Sequence, residues 1–226
     1  MRVSRPPLFD ARLVPVTGVD DHLPKLQSSA LHIEAVRTHF LDASMWTPEI
    51  PGEPAFTNKA LVPAAVLIPL VLRAELMVLL TQRPNHMSSH PGQIAFPGGK
   101  SDPVDESPID TALRETAEEV GIESRYVEVL GTLPQYTTGS GFAVTPVVGV
   151  LRDGFIIAPN ALEVSEVFEV PFSFLMNPAN HRRHAMEWLG VSREWFSMPY
   201  CEEQTERFIW GATAGMLRNL YSFLSV

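Results

Sequence analysis

The stretch "FPGGKSDPVDESPIDTALRETAEEVG", residues 96–121, sets two adjacent glycines ahead of a segment that ends in a glycine and carries Glu115, Glu118 and Glu119. Ser107 and Pro108 suit an N-cap and a first helical turn, and Gly121 suits a C-terminal stop, so the spacing predicts a helix over about 108–120. On such a helix Glu115, Glu118 and Glu119 share one face, with Arg114 one turn before Glu118. As a solvated face this costs only about 0.2–0.5 kcal/mol per like-charge pair, which a surface helix tolerates. The Pro97-Gly98-Gly99 turn offers a second reading. It exposes backbone carbonyls beside carboxylates, an oxygen-rich shell of the kind Mg²⁺ prefers.

The rest of the chain narrows the possibilities. With 226 residues, 45% of them hydrophobic, it can bury one substantial core and an accessory layer. A net charge of −9 argues against a surface that wraps nucleic acid or lies on anionic lipid. The single cysteine, Cys201, excludes an internal disulfide and a multi-cysteine zinc site, and a reducing cytoplasm is the expected compartment. The start "MRVSRPPLFDARLVPV" has no apolar run of signal-peptide length. The stretch "VPAAVLIPLVLRAELMVLLTQR" (62–83) is apolar, but Arg73 and Glu75 fall inside it. It reads as two strands buried on both faces and turning at 73–75, rather than a membrane span.

Residues 1–60 are proline-punctuated with one helical segment at 28–44, and read as an accessory arm; residues 61–226 read as the main domain. "IAF", "YVEVLGTLPQY" and "FAVTPVVGVL" read as strands, "EVSEVFEVPFSFLM" as a strand end entering a short helix, and "RFIWGATAGMLRNLYSFL" as a last strand and helix. The absence of a regular βαβ beat favours an α+β fold. "NHRRHAMEW" (180–188) reads as a turn between strands that carries a compact cation cluster. Trp188, Trp195, Phe196 and Tyr200 offer stacking surfaces for an adenine, but most of them read as packing residues, in the core or at a homodimer contact.

The central motif resembles the box of the Nudix hydrolases: Gly, five residues, Glu, seven residues, Arg-Glu, an aliphatic residue, any residue, Glu-Glu, any residue, Gly, aliphatic. Gly99, Arg114-Glu115, Glu118-Glu119, Gly121 and Ile122 match it. Thr116 stands in the aliphatic slot. The first acidic slot falls on Asp105 counted from Gly99, and on Glu106 counted back from Arg114. The preceding stretch "LLTQRPNHMSSHPGQIAFPGGK" is similar to the segment that leads into the box in coenzyme A pyrophosphatases of this superfamily. Leu79, Leu80, Thr81, Gly92 and Phe96 to Gly99 are in register, while Pro84 replaces a small residue and Ser88 an arginine.

The resemblance implies a Nudix-like α/β/α sandwich with a mixed sheet, and Mg²⁺- or Mn²⁺-dependent hydrolysis of a small-molecule nucleoside diphosphate conjugate. Glu115 and Glu119 are then the first metal ligands, with Glu118 assisting and the Gly99 carbonyl completing the shell. Arg114 is expected to orient the carboxylates. Glu163 and Glu166 are candidates for the general base. Arg83, Gly98 and Gly99 would bind substrate, and Arg182 and Arg183 would stand in for the arginine missing at Ser88. Coenzyme A or its thioesters are the first substrate choice; ADP-ribose or NADH would use the same chemistry. A binding module without catalysis is the alternative of another class, against which the retained glutamate triad speaks.

Overall fold

The computed structural model describes residues 10–42, 46–56, 59–87, 90–188 and 190–226. In chain order the elements are β1 (Val16–Val19), α1 (Ile33–Asp42), β2 (Val62–Leu72), β3 (Leu76–Gln82), β4 (Ile94–Ala95), β5 (Gly98–Lys100), α2 (Pro108–Val120), β6 (Val127–Thr132), β7 (Tyr136–Thr137) and β8 (Phe142–Leu151). They continue as β9 (Glu166–Pro171), α3 (Phe172–Leu175), β10 (Arg182–Trp188), β11 (Val191–Glu202), β12 (Thr205–Trp210) and α4 (Gly211–Leu224).

The main sheet runs β4-β3-β2-β8-β6, with β5 on β2, β7 on β8 and β9 on β3. It is mixed, because β2 pairs in parallel with β8 while β2 and β3 form an antiparallel hairpin. Alternation along β2 explains its unbroken hydrophobicity. Ala65, Leu67 and Val71 face a cluster that includes Ala112 and Val120 of α2; Ile68 and Leu70 face a second cluster that includes Leu217 and Leu220 of α4. The sheet is thus covered by helices on both faces, as an α/β/α sandwich requires. Each fully buried Leu or Ile on this strand contributes about 1.5–3 kcal/mol of transfer free energy.

A second sheet, ordered β1-β10-β11-β12, is antiparallel throughout. Here the sequence reading needs correction: residues 182–188 are not a turn but strand β10, whose His184 is buried and hydrogen-bonded to Val14 O and Ser197 Oγ. The alternation was hidden because this sheet buries polar side chains whose partners lie far away in the chain. The helical segment expected at 28–44 is a 3₁₀ turn at Ser28–Leu31 followed by α1. Residues 10–42 are wound onto the body: β1 joins the second sheet, Phe40 packs on the Cα of Gly131, and Arg37 makes a bidentate pair with Glu128. Among the described residues no helix is long and apolar enough to cross a membrane.

Candidate active site

Helix α2 begins and ends as its sequence dictates. Ser107 Oγ accepts from Asp110 N at 3.3 Å, Pro108 occupies the first turn, and Gly121 closes the helix in the left-handed conformation at φ 76°. Thr116, the departure in the aliphatic slot, is fully buried, and its hydroxyl donates to the Ala112 carbonyl at 2.6 Å. Its methyl therefore faces the core as a valine methyl would, and the hydroxyl is satisfied within the helix.

Arg114 organises the polar face. Its Nε and Nη2 donate to the two carboxylate oxygens of Asp105 at 2.9 Å each, Nη1 to Glu115 at 2.9 Å and Glu118 at 3.1 Å, and Nη2 also to Lys100 O at 3.0 Å. Such a fork is what arginine, and not lysine, can make. The first acidic position is accordingly Asp105, which Arg114 holds well below the usual carboxylate range, while Glu106 is exposed.

Glu119 is 5% exposed and accepts from Gly98 N at 3.0 Å. Burial pushes its pKa up to about 7. Burial also raises that of Glu115, against the pull of Arg114, and Glu118 and Glu163 raise it further. Glu115 and Glu163 both add to the rise at Glu119, which Arg83 opposes. The strand β5 glycines admit this closeness. A Cβ on Gly99 would sit 2.5 Å from the Glu115 carboxylate carbon, and one on Gly98 would strike the β2 backbone at Ala65 and Val66.

Glu163 arrives on a loop fastened to the end of α2. Ala158 N donates to Val120 O at 2.8 Å and Asn160 N to Glu119 O at 2.9 Å, taking up two carbonyls that the helix end leaves free. Ser165 N and Oγ then both donate to Gln82 O at the end of β3. Glu166 is placed otherwise. It shares a strand face with Phe168 and Val170, turned toward α4, and its carboxylate accepts from Arg207 at 2.5 and 2.6 Å. Of the two candidate bases, Glu166 is thus the one ion-paired with an arginine. Arg183, too, is taken up, by the buried Asp20 at 2.6 Å, and Arg182 is exposed on β10 of the second sheet. Ser88 lies outside the described residues.

The structure thus gathers Arg83, Gly98, Gly99, Arg114, Glu115, Glu118, Glu119 and Glu163, and leaves Glu166, Arg182 and Arg183 elsewhere. Among the described residues no three acidic, His or Cys side chains converge as a preformed metal cage. The donor set nevertheless fits a hard divalent cation. Every donor is oxygen, Gly99 leaves the Glu115 carboxylate open on its turn side, and two carboxylates are held where burial and mutual repulsion disfavour their charge.

A family model described as NUDIX domain matches residues 61–199. The chain belongs to the Nudix family. As a Nudix hydrolase it acts on pyrophosphate bonds. A protein described as an uncharacterized Nudix hydrolase, NudL, from Yersinia enterocolitica is 44% identical over 158 residues, covering 70% of this chain and 78% of its own. The protein of the same description from Yersinia pestis (strain Pestoides F) is 42% identical over 163 residues, covering 72% of this chain and 80% of its own. Among solved structures, a Nudix hydrolase from M. smegmatis, RenU, aligns with a TM-score of 0.43 at 21% identity, over 61% of this chain and 79% of that one.

Proposed function

We propose that this Nudix hydrolase cleaves the diphosphate of coenzyme A or its thioesters, releasing 3′,5′-ADP and 4′-phosphopantetheine or its acyl form. The observation that carries the reaction is the Arg114-ordered carboxylate face closed by Gly98 and Gly99 with Glu163 facing it. Glu115 and Glu119, assisted by Glu118 and the Gly99 carbonyl, would hold the ion, Mg²⁺ or Mn²⁺. A bound divalent ion supplies charge neutralisation on the diphosphate oxygens.

The chain's own groups supply the rest. Glu163 adds to the rise at both ligand carboxylates and has no ion-pair partner among the described residues, which supports reading it as the group that takes the proton from the attacking water. That water forms a new P–O bond as the bridging P–O bond breaks, so two phosphomonoesters leave. Arg114, engaged by Asp105 and Glu115, would fix the carboxylate geometry. The choice of coenzyme A is supported by the register from Leu79 to Gly99. Leu79 and Leu80 of that stretch are core residues and Thr81 Oγ1 donates to Ala95 O, so the motif builds the platform on which the glycine turn rests.

A panel of coenzyme A, dephospho-coenzyme A, ADP-ribose and NADH, assayed with Mg²⁺ and product identification, tests the proposal. Coenzyme A should be preferred over dephospho-coenzyme A by about ten- to a hundredfold in kcat/KM, as charge-assisted bonds to a 3′-phosphate imply. EDTA should abolish turnover and Mn²⁺ or Mg²⁺ restore it. Efficient cleavage of ADP-ribose with coenzyme A ignored would overturn the substrate, and full activity in EDTA the metal-assisted reaction.

A further inference from the structure

Between β8 and β9 the chain returns to the end of α2 through one short turn, organised by Asn160. The Asn160 N–H donates to the Glu119 carbonyl at 2.9 Å, and the Asn160 carbonyl accepts from Glu163 N at 2.9 Å and from Val164 N at 2.8 Å. Its side-chain Oδ1 accepts from Leu162 N at 3.1 Å. That last bond makes an Asx turn, which sets the course of the two residues after the asparagine. Packing holds the turn only on its far side, where Val164 is 3% exposed among Ala112 and Val120 of α2 and Ser165 is bonded to Gln82 O. The tip has no such hold: Ala161 is exposed and Leu162 is 75% exposed. On the near side a Cβ on Gly121 would lie 2.8 Å from the Ala158 Cβ, so the close approach of the loop depends on the glycine that ends the helix. Glu163 is therefore joined to Glu119 through two backbone hydrogen bonds, and Asn160 makes both of them.

We propose that Asn160 is a positioning residue of the hydrolase: it holds Glu163 at the Glu119 end of α2 by joining the Glu119 backbone to the turn that carries Glu163. This rests on the diphosphatase reading above and adds a residue to it. Asparagine suits the place because its side chain bonds forward along the chain while its own N–H and carbonyl serve two other partners. Alanine lacks the forward bond, whereas a serine hydroxyl can make it without adding charge. A loosened turn lets Glu163 sample orientations away from α2, and the loss then falls on kcat rather than on KM.

The test compares wild type, Asn160→Ala, Asn160→Ser, Glu163→Gln and the double variant Asn160→Ala with Glu163→Gln. The backbone bonds and the Val164 anchor survive in Asn160→Ala, so it should fold with a melting temperature within about 4 °C of wild type. Its kcat for coenzyme A should fall about tenfold with KM within about twofold, and Asn160→Ser should recover most of that loss. Added to Glu163→Gln, Asn160→Ala should change kcat by less than about twofold, because the residue it positions is already disabled. A merely structural Asn160 would lower the melting temperature and leave kcat at its wild-type value, or its effect would multiply with that of Glu163→Gln; either result overturns the proposal. Calorimetric titration with Mn²⁺ repeats the comparison without turnover. A Glu163 carboxylate held at the site adds to the attraction for the ion, so Asn160→Ala and Glu163→Gln should each weaken binding by about threefold or more, and the double variant no further than Glu163→Gln. Equal Mn²⁺ binding in wild type and Asn160→Ala overturns the proposal. If wild type hydrolyses no diphosphate conjugate, the function above fails, while the Mn²⁺ titrations still decide the positioning.

Discussion

At Gly99 a single missing methyl decides whether the site can exist. A Cβ there would sit 2.5 Å from the Glu115 carboxylate, so Gly99→Ala must drive Glu115 away from Arg114. We expect the variant to fold, to bind Mn²⁺ at least tenfold more weakly, and to lose more than nine-tenths of its kcat; titration calorimetry and steady-state assays check both. Glu119→Gln should be equally inactive for the opposite reason, since the space is kept and the charge removed. Thr116 makes a contrasting case. Its hydroxyl only reinforces a helical carbonyl, so Thr116→Val should leave kcat unchanged and stabilise the fold by about 1 kcal/mol through the extra buried methyl. A loss of activity in that variant would mean that the slot touches the chemistry. The sequence alone left the first acidic slot open between Asp105 and Glu106, because the count differs from its two ends. Only the loop geometry, which turns Asp105 to Arg114, separates them.

Helix α2 was legible almost to the residue because its boundaries are chemical: a serine cap, a proline in the first turn and a left-handed glycine. The β2–β3 hairpin was legible from its charged turn. What the elements hide is orientation. Glu163 and Glu166 are three residues apart, but one lies on a loop folded over the end of α2 and the other on a strand face turned toward Arg207. The alternation of Glu166 with Phe168 and Val170 carried that information, had the strand start been known. The raised pKa of Glu119 gives the helix face its own pH signature. In the folded, metal-free protein Glu119 binds its proton up to about pH 7, whereas unfolded it releases it near 4.5. Between those values the folded state holds more protons, so without divalent metal this residue's contribution to stability falls as pH rises through the window. The melting advantage of Glu119→Gln over wild type in EDTA should therefore be absent near pH 4.5 and grow toward pH 7. An advantage independent of pH would show that Glu119 is ionised throughout.

At the scale of the molecule, a buried charge cluster ties Asp20 and Glu49, which precede the main sheet in the chain, to the second sheet and α4. Arg218 and Asp20, each 2% exposed, pair at 2.9 Å; Arg218 also forms a bidentate pair with Glu49, and Arg183 adds a second cation to Asp20. Removing one partner of a buried pair strands the other, so Asp20→Ala should cost about 3–5 kcal/mol in urea unfolding, against less than about 1 kcal/mol for Glu34→Ala at the exposed end of Arg37. His181, fully buried against Arg218, has its pKa pushed down to about 4 by burial. Its neutral form is favoured by the fold, so this contribution is lost as pH falls from about 6.5 toward 4, and a His181→Gln variant should lose less stability than wild type across that range. None of this cluster was legible in the sequence: its members lie at 20, 49, 181, 183 and 218, and nothing local marks them as partners.

The loop that carries Glu163 is fastened to α2 through the carbonyls of Glu119 and Val120, so two backbone amides, those of Ala158 and Asn160, are hidden only while the two halves of the site are joined. Those amides are built-in reporters of assembly. Their exchange with deuterium should slow when divalent metal or substrate draws loop and helix together, and quicken when Glu119 is replaced. The population of assembled sites could then be followed in the resting enzyme, with no substrate turned over.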